Sequence, residues 1–116
     1  MKIAMVIFSV VLALIVLASG AGKLRKSPQV IDGMKHVGVK ESQIPILAVL
    51  EIAGGLGLLI GLANTALGRF SAICLAAYFA GAVVSHLRVN DKFKVFAPAF
   101  FIFVIALVTV WLQLKR

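Results

Sequence analysis

Four apolar segments, at about 3–22, 44–63, 67–87 and 97–114, make up most of this 116-residue chain, and each is 18 to 21 residues long. At about 1.5 Å of rise per residue, a helix of that length crosses the ~30 Å hydrocarbon core of a bilayer. In hydrocarbon the backbone must satisfy its own hydrogen bonds, which leaves only helices or a closed barrel. Continuous apolar runs, with no period-two alternation, select helices. The hydrophobic fraction of 62% and mean hydropathy of +1.11 exceed what a soluble domain of this size buries. The expected fold is therefore all-α: one integral membrane domain over 1–116, built as a four-helix bundle.

The net charge of +8 does not point to nucleic acid, because the twelve Lys and Arg lie almost wholly between or beyond the apolar runs. Lys2, Arg69, Lys115 and Arg116 fall on one side. Lys23, Arg25, Lys26, Lys35, Lys40, Arg88, Lys92 and Lys94 fall on the other. The excess of basic residues in the two odd loops places them in the cytoplasm and both termini outside. Lys2 with Ala18-Ser19-Gly20 also fits the n-region and cleavage site of a signal peptide. The apolar stretch between them is long for that role, and a retained helix is expected. The one cysteine, Cys74, excludes an intrachain disulfide, and His36 and His86 lack metal-ligand spacing, so no metal is expected.

Boundary signals agree with this layout. Pro45 and Pro98 fall near the starts of the second and fourth spans, Ser42 can cap just before Pro45, and Asn64-Thr65 forms a tight turn. Trp111 with Lys115 and Arg116 anchors the last exit. In the long loop 23–43, Ser27-Pro28 reads as a helix start and Gly38 as a stop. Val30, Ile31, Met34 and Val37 recur at helical spacing between them. This predicts a short amphipathic helix on the interface or over the bundle, with an irregular basic loop as the alternative.

Membrane helices pack through small and polar residues. Such stripes run through Ser9, Ala13, Val16, Gly20 and Lys23 in the first span, and Leu47, Glu51, Gly54, Leu58 and Gly61 in the second. Gly57 completes a GxxxG with Gly61. The third span offers Ser71, Cys74, Tyr78, Gly81 and Ser85, and the fourth Ala99, Ala106, Thr109, Val110 and Gln113. Gly54, Gly57, Gly61 and Gly81 are read as helix-packing positions. Phe96, Phe100, Phe101 and Phe103 are read as lipid-facing or core bulk.

Glu51 is the one charge in the twenty residues 44–63. A carboxylate at that depth is costly unless paired, protonated or wet, which marks it as a functional candidate. By helix rise it lies about 10 Å below the odd-loop surface, and Tyr78 about 13 Å below it. Lys23, His86 and Arg88 sit at the same rim. These groups are expected to converge on a pocket opening toward the odd loops. Three roles stay open for Glu51: a structural carboxyl bonded to Tyr78 or Ser19, part of a head-group site, or a proton carrier. His86 is either an interfacial residue or a partner for Glu51.

The chain resembles the DoxX-like family of small four-helix membrane proteins. The resemblance rests on Ser19-Gly20-Ala21-Gly22-Lys23-Leu24, on His36-Val37-Gly38-Val39, and on Ile44 to Leu62 with Glu51. It continues through Gly81 to Asp91 and the helix after Ala97-Pro98. It implies a bundle in a bacterial or archaeal inner membrane. Namesake relatives are small subunits of a thiosulfate:quinone oxidoreductase, and others are associated with thiol and oxidative-stress partners. The expected function is an accessory or anchor subunit beside a membrane redox or stress-related partner, with a quinone or lipid site at Glu51. The alternatives are a proton-coupled transporter resembling small multidrug resistance proteins, and a lipid-organising structural protein. Besides the lipid bilayer, copies of the chain or a membrane redox protein are the expected partners. No nucleophile–base pair, metal site or nucleotide loop supports catalysis by this chain alone.

Overall fold

A computed structural model describes residues 2–116. The chain runs through α1 (Lys2–Leu24), α2 (Pro28–His36), a 3₁₀ turn (Glu41–Gln43), α3 (Ile44–Ile60), α4 (Thr65–Arg88) and α5 (Phe93–Leu114). There is no strand among the described residues, and α1, α4, α5 and the stretch Glu41–Ile60 are each long and apolar enough to cross a membrane. The long axis of 39 Å is close to a bilayer's full thickness. The protein is thus an all-α membrane bundle of four spans, with lipid bilayer around it.

Local chemistry explains most of the boundaries. Pro28 stands in the first turn of α2, where a missing N–H costs no helical bond. The turn after α2 is closed by Gly38 at φ +90°, a conformation L side chains rarely adopt. The Asn64 side chain accepts from the Leu67 N–H at 3.1 Å and caps α4. The loop 23–43 therefore contains the short helix and not an irregular coil. Ser27 makes no side-chain capping bond there, and Ser42 falls inside the 3₁₀ turn, so neither caps as the sequence suggested. Pro98 does not open the fourth span. The helix begins at Phe93 and carries Pro98 in its second turn. The single bond lost there belongs to the carbonyl of Lys94, an exposed residue close to the helix end.

In cross-section α1 packs between α3 and α5, and α4 packs between the same two helices. The core is Leu12, Ala13 and Val16 of α1, Leu58 of α3, Ala72, Leu75, Ala76 and Phe79 of α4, and Ala106 of α5. The predicted α1 stripe is buried throughout. The α4 stripe is not. Its buried face is Gly68, Ser71, Ala72, Leu75, Ala76 and Phe79, while Cys74 is exposed on the outer surface. The large side chains Leu75 and Phe79 take the core, and Leu75 does so against Gly54 of α3.

Gly61 makes the closest backbone approach. A Cβ there would run into the Gly68 backbone of α4, so the two helices meet main chain to main chain. Gly57 faces Ser71 and Gly54 faces Leu75 in the same seam. Gly81 is a correction: nothing lies within 4 Å of a Cβ built on it, so it packs no helix.

At the end that carries the termini, two arginines satisfy helix-end carbonyls. Arg116 donates to the Gly61 carbonyl at 2.8 Å and the Leu62 carbonyl at 3.0 Å, and Arg69 donates to the Gln113 carbonyl at 2.9 Å. Gln113 is fully buried and donates to Ser9 at 3.0 Å, tying α5 to α1. This leaves the opposite end, that of the two odd loops, as the place where the bundle opens.

Candidate ligand site

Three helices contribute to one polar cluster near the loop end. Lys23 lies in the last turn of α1, Glu51 in the second turn of α3, and Tyr78 in the second half of α4. Side chains on a helix lean toward its N-terminus. The α1 N-terminus is at the far end of the bundle and the α3 N-terminus at the loop end. Lys23 therefore leans down into the bundle, and Glu51 leans up to meet it.

Lys23 Nζ and Glu51 Oε1 form an ion pair, with Lys23 6% exposed and Glu51 fully buried. Lys23 also donates to Ser19 Oγ at 3.0 Å, one helical turn back on α1. The Tyr78 hydroxyl donates to Glu51 Oε1 at 3.1 Å, with the Leu47 carbonyl a longer second acceptor at 3.4 Å. Lys23 and Tyr78 both bond Oε1, and Oε2 has no hydrogen-bond partner among the described residues. A buried carboxylate needs such pairing, since an isolated charge in a low dielectric would neutralise or unfold its site.

Of the six candidates named from the sequence, Lys23, Glu51, Tyr78 and Ser19 are brought into bonding contact. His86 and Arg88 are not part of that cluster. His86 donates through Nδ1 to Asp91 Oδ2 at 2.7 Å, and Arg88 is exposed at the end of α4. His86 is thus the partner of Asp91 and not of Glu51.

Asp91 is a residue that sequence reasoning passed over. It stands in the turn between α4 and α5 and accepts a second bond from His36 Nε2 at 2.6 Å. His36 is the last residue of α2, so Asp91 fastens that helix to the bundle from a position 55 residues away in sequence. The hydrogen bond from His36, and after it the one from His86, holds the Asp91 carboxyl below its ordinary value. The one available signal was a lone acidic residue in a basic loop.

Beneath α2 lies a cavity of about 990 Å³. Val30 and Met34 line it from α2, Lys23 and Ser19 from α1, Tyr78 and Ala82 from α4, and Ile102 from α5. Its volume is at the upper end of the range for small-molecule sites, roughly 300–1,000 Å³. The walls are largely apolar, with a few polar groups gathered at Lys23 and Tyr78. Gly81 and Ser85 of the α4 stripe face this space and not a neighbouring helix. Phe93, Phe96, Phe100 and Phe101 form an edge-to-face cluster on α5 that does not line it.

Four apolar spans, a glycine seam between α3 and α4, and a charge-paired cluster under a short amphipathic helix define a small multi-pass membrane bundle. The model of the DoxX-like family matches residues 7–108, and the chain belongs to that family. The search of the curated proteins and that of the solved structures gave no match.

Proposed function

We propose that this protein holds one lipid-like or quinone-like amphiphile in the cavity beneath α2 and serves as an accessory or anchor subunit beside a membrane redox or stress-related partner. The observation that carries this reading is the roughly 990 Å³ apolar cavity whose wall includes Lys23 and Tyr78, both bonded to the buried Glu51. An apolar chamber with convergent polar groups at one end suits a molecule with a tail and a small head. The cavity lies at membrane depth beside the interface, where such molecules are at high local concentration. In a bacterial or archaeal inner membrane, which the family suggests, the site would face whichever partner docks on the loop side or against the apolar flanks.

The transporter alternative requires a carboxylate free to exchange a proton for a substrate cation. Glu51 already has an internal cation in Lys23, which favours a holding site over an exchange site. The short spans expose many large apolar side chains, among them Ile46, Phe70 and Phe101, to lipid or to a further membrane chain.

The test is native mass spectrometry of the protein gently extracted from its own membrane, recording bound small molecules and co-purifying chains. A lipid or quinone retained by the wild type and lost on Glu51→Gln, together with a redox chain, supports the proposal. An empty homo-oligomer would overturn it.

A further inference from the structure

We infer that the cavity selects an amphiphile with an uncharged, hydrogen-bonding head group and rejects anionic and cationic heads of the same size. This inference rests on the ligand-holding role proposed above and adds the chemical class of the ligand.

It follows from the charges of the wall. No residue lining the cavity is a carboxylate, and Lys23 and His86 are the lining side chains able to carry positive charge. Each is already engaged by an acidic group from behind: Lys23 by Glu51, His86 by Asp91. Lys23 and Glu51 are opposite charges in one ion pair and sum to zero. An anion entering this apolar chamber would leave water without gaining a net counter-charge. A cation would in addition meet the ammonium end of the pair first. Both carry the cost of burying an uncompensated charge.

The hydrogen-bonding capacity that remains is that of a neutral site. An ammonium has three N–H donors, and those of Lys23 toward Glu51 and Ser19 account for two. The Tyr78 hydroxyl has given its one hydrogen to Glu51, which leaves its oxygen as an acceptor. At Lys23 and Tyr78 the wall therefore offers one strong donor and one acceptor side by side, and the other polar lining groups Gln29 and Ser85 are uncharged. A carbonyl, ester or hydroxyl head satisfies both with no net charge.

The experiment uses the full chain, purified in a non-ionic detergent, and three probes sharing a ten-carbon tail: 1-decanoylglycerol, decanoate and decyltrimethylammonium. Each is titrated at about pH 8, where the decanoate carboxylate is ionised, and one-to-one adducts are counted by native mass spectrometry. The expected result is saturable binding of 1-decanoylglycerol, at least about tenfold tighter than either charged probe. Glu51→Gln leaves Lys23 uncompensated and should move the preference toward decanoate. Lys23→Gln should move it toward decyltrimethylammonium. The double variant Lys23→Gln/Glu51→Gln is neutral again and should restore the uncharged preference. Opposite shifts from the two single variants are a signature that a merely structural pair would not give. If a single variant fails to fold, the wild-type ranking and the double variant still decide the matter. Tightest binding of a charged probe to the wild type would overturn the selectivity and leave the ligand-holding role standing. No saturable binding of any probe would overturn both.

Discussion

Lys23 and Glu51, 28 residues apart in sequence, face each other because their helices run in opposite directions and each side chain leans toward the other's level. The pair lies inside the bundle with almost no solvent exposure on either partner. A charge buried in this way is tolerated only in company, so each residue is a condition for the other's presence.

Removing one partner should therefore cost far more than removing both. Lys23→Met is expected to destabilise the protein by about 3–5 kcal/mol, while Lys23→Met/Glu51→Leu should be close to neutral. Glu51→Gln, which keeps the shape and the bond to Tyr78, should remain folded and inserted. Thermal unfolding of the four proteins in one detergent gives the coupling directly. Equal stability of all of them would contradict a buried, mutually dependent pair.

The glycine seam makes a contrasting pair of predictions. Gly61→Ala places a methyl against the backbone of Gly68, which cannot rotate away, and should cost about 1–3 kcal/mol. Gly81→Ala meets nothing within 4 Å in the interior of α4 and should leave stability unchanged or raise it by up to about 1 kcal/mol. The two melting curves, measured side by side, check both.

Acidification should release α2. The Asp91 carboxyl is held below its ordinary value of 3.8 by the bonds from His36 and His86. A lowered folded value means that its contribution is fully present above the ordinary value. It is lost progressively as the pH falls below 3.8 and through the folded one. Hydrogen-exchange protection of α2 should be greater in the wild type than in Asp91→Asn at about pH 6, and the difference should vanish in strong acid. A difference that persists unchanged there would mean that Asp91 does not fasten α2.

Orientation is open to a reporter test. Four spans put both termini on one face, and the excess of Lys and Arg in the odd loops predicts that this face is the outside. Alkaline phosphatase fused after Arg116 should be active and a green fluorescent protein fusion dark. The reverse pattern would turn the cavity mouth outward.

The family match and the four spans were both legible in the sequence, because span length and hydropathy are local quantities set by the bilayer's thickness. The same is true of α2, where Pro28 and Gly38 bracket a helical period of apolar residues. Glu51 announced itself by being the one charge in twenty apolar residues. Its neighbour Tyr78 followed from counting depth along the helices, whereas Ser19, also expected to bond Glu51, reaches it only through Lys23.

What the sequence could not supply was rotation about each helix axis and pairing across the bundle. The small and polar stripe of α4 suggested Cys74 and Gly81 as packing residues. Leu75, seated against Gly54 of α3, and Phe79 instead fill the core, which turns Cys74 outward and Gly81 toward the cavity. His86, in the last turn of α4, and Asp91, in the turn after it, are five residues apart with no visible reason in the sequence to bond. Only the placement of α2 over the bundle brought His36 to the second oxygen of the same carboxylate. The cavity is likewise a product of three dimensions, since it exists only where α2 covers the loop end of the other helices. Length and hydropathy fix that a helix forms and crosses the membrane. Which face it turns inward is decided by the shapes of its neighbours, and that information lies in no single segment.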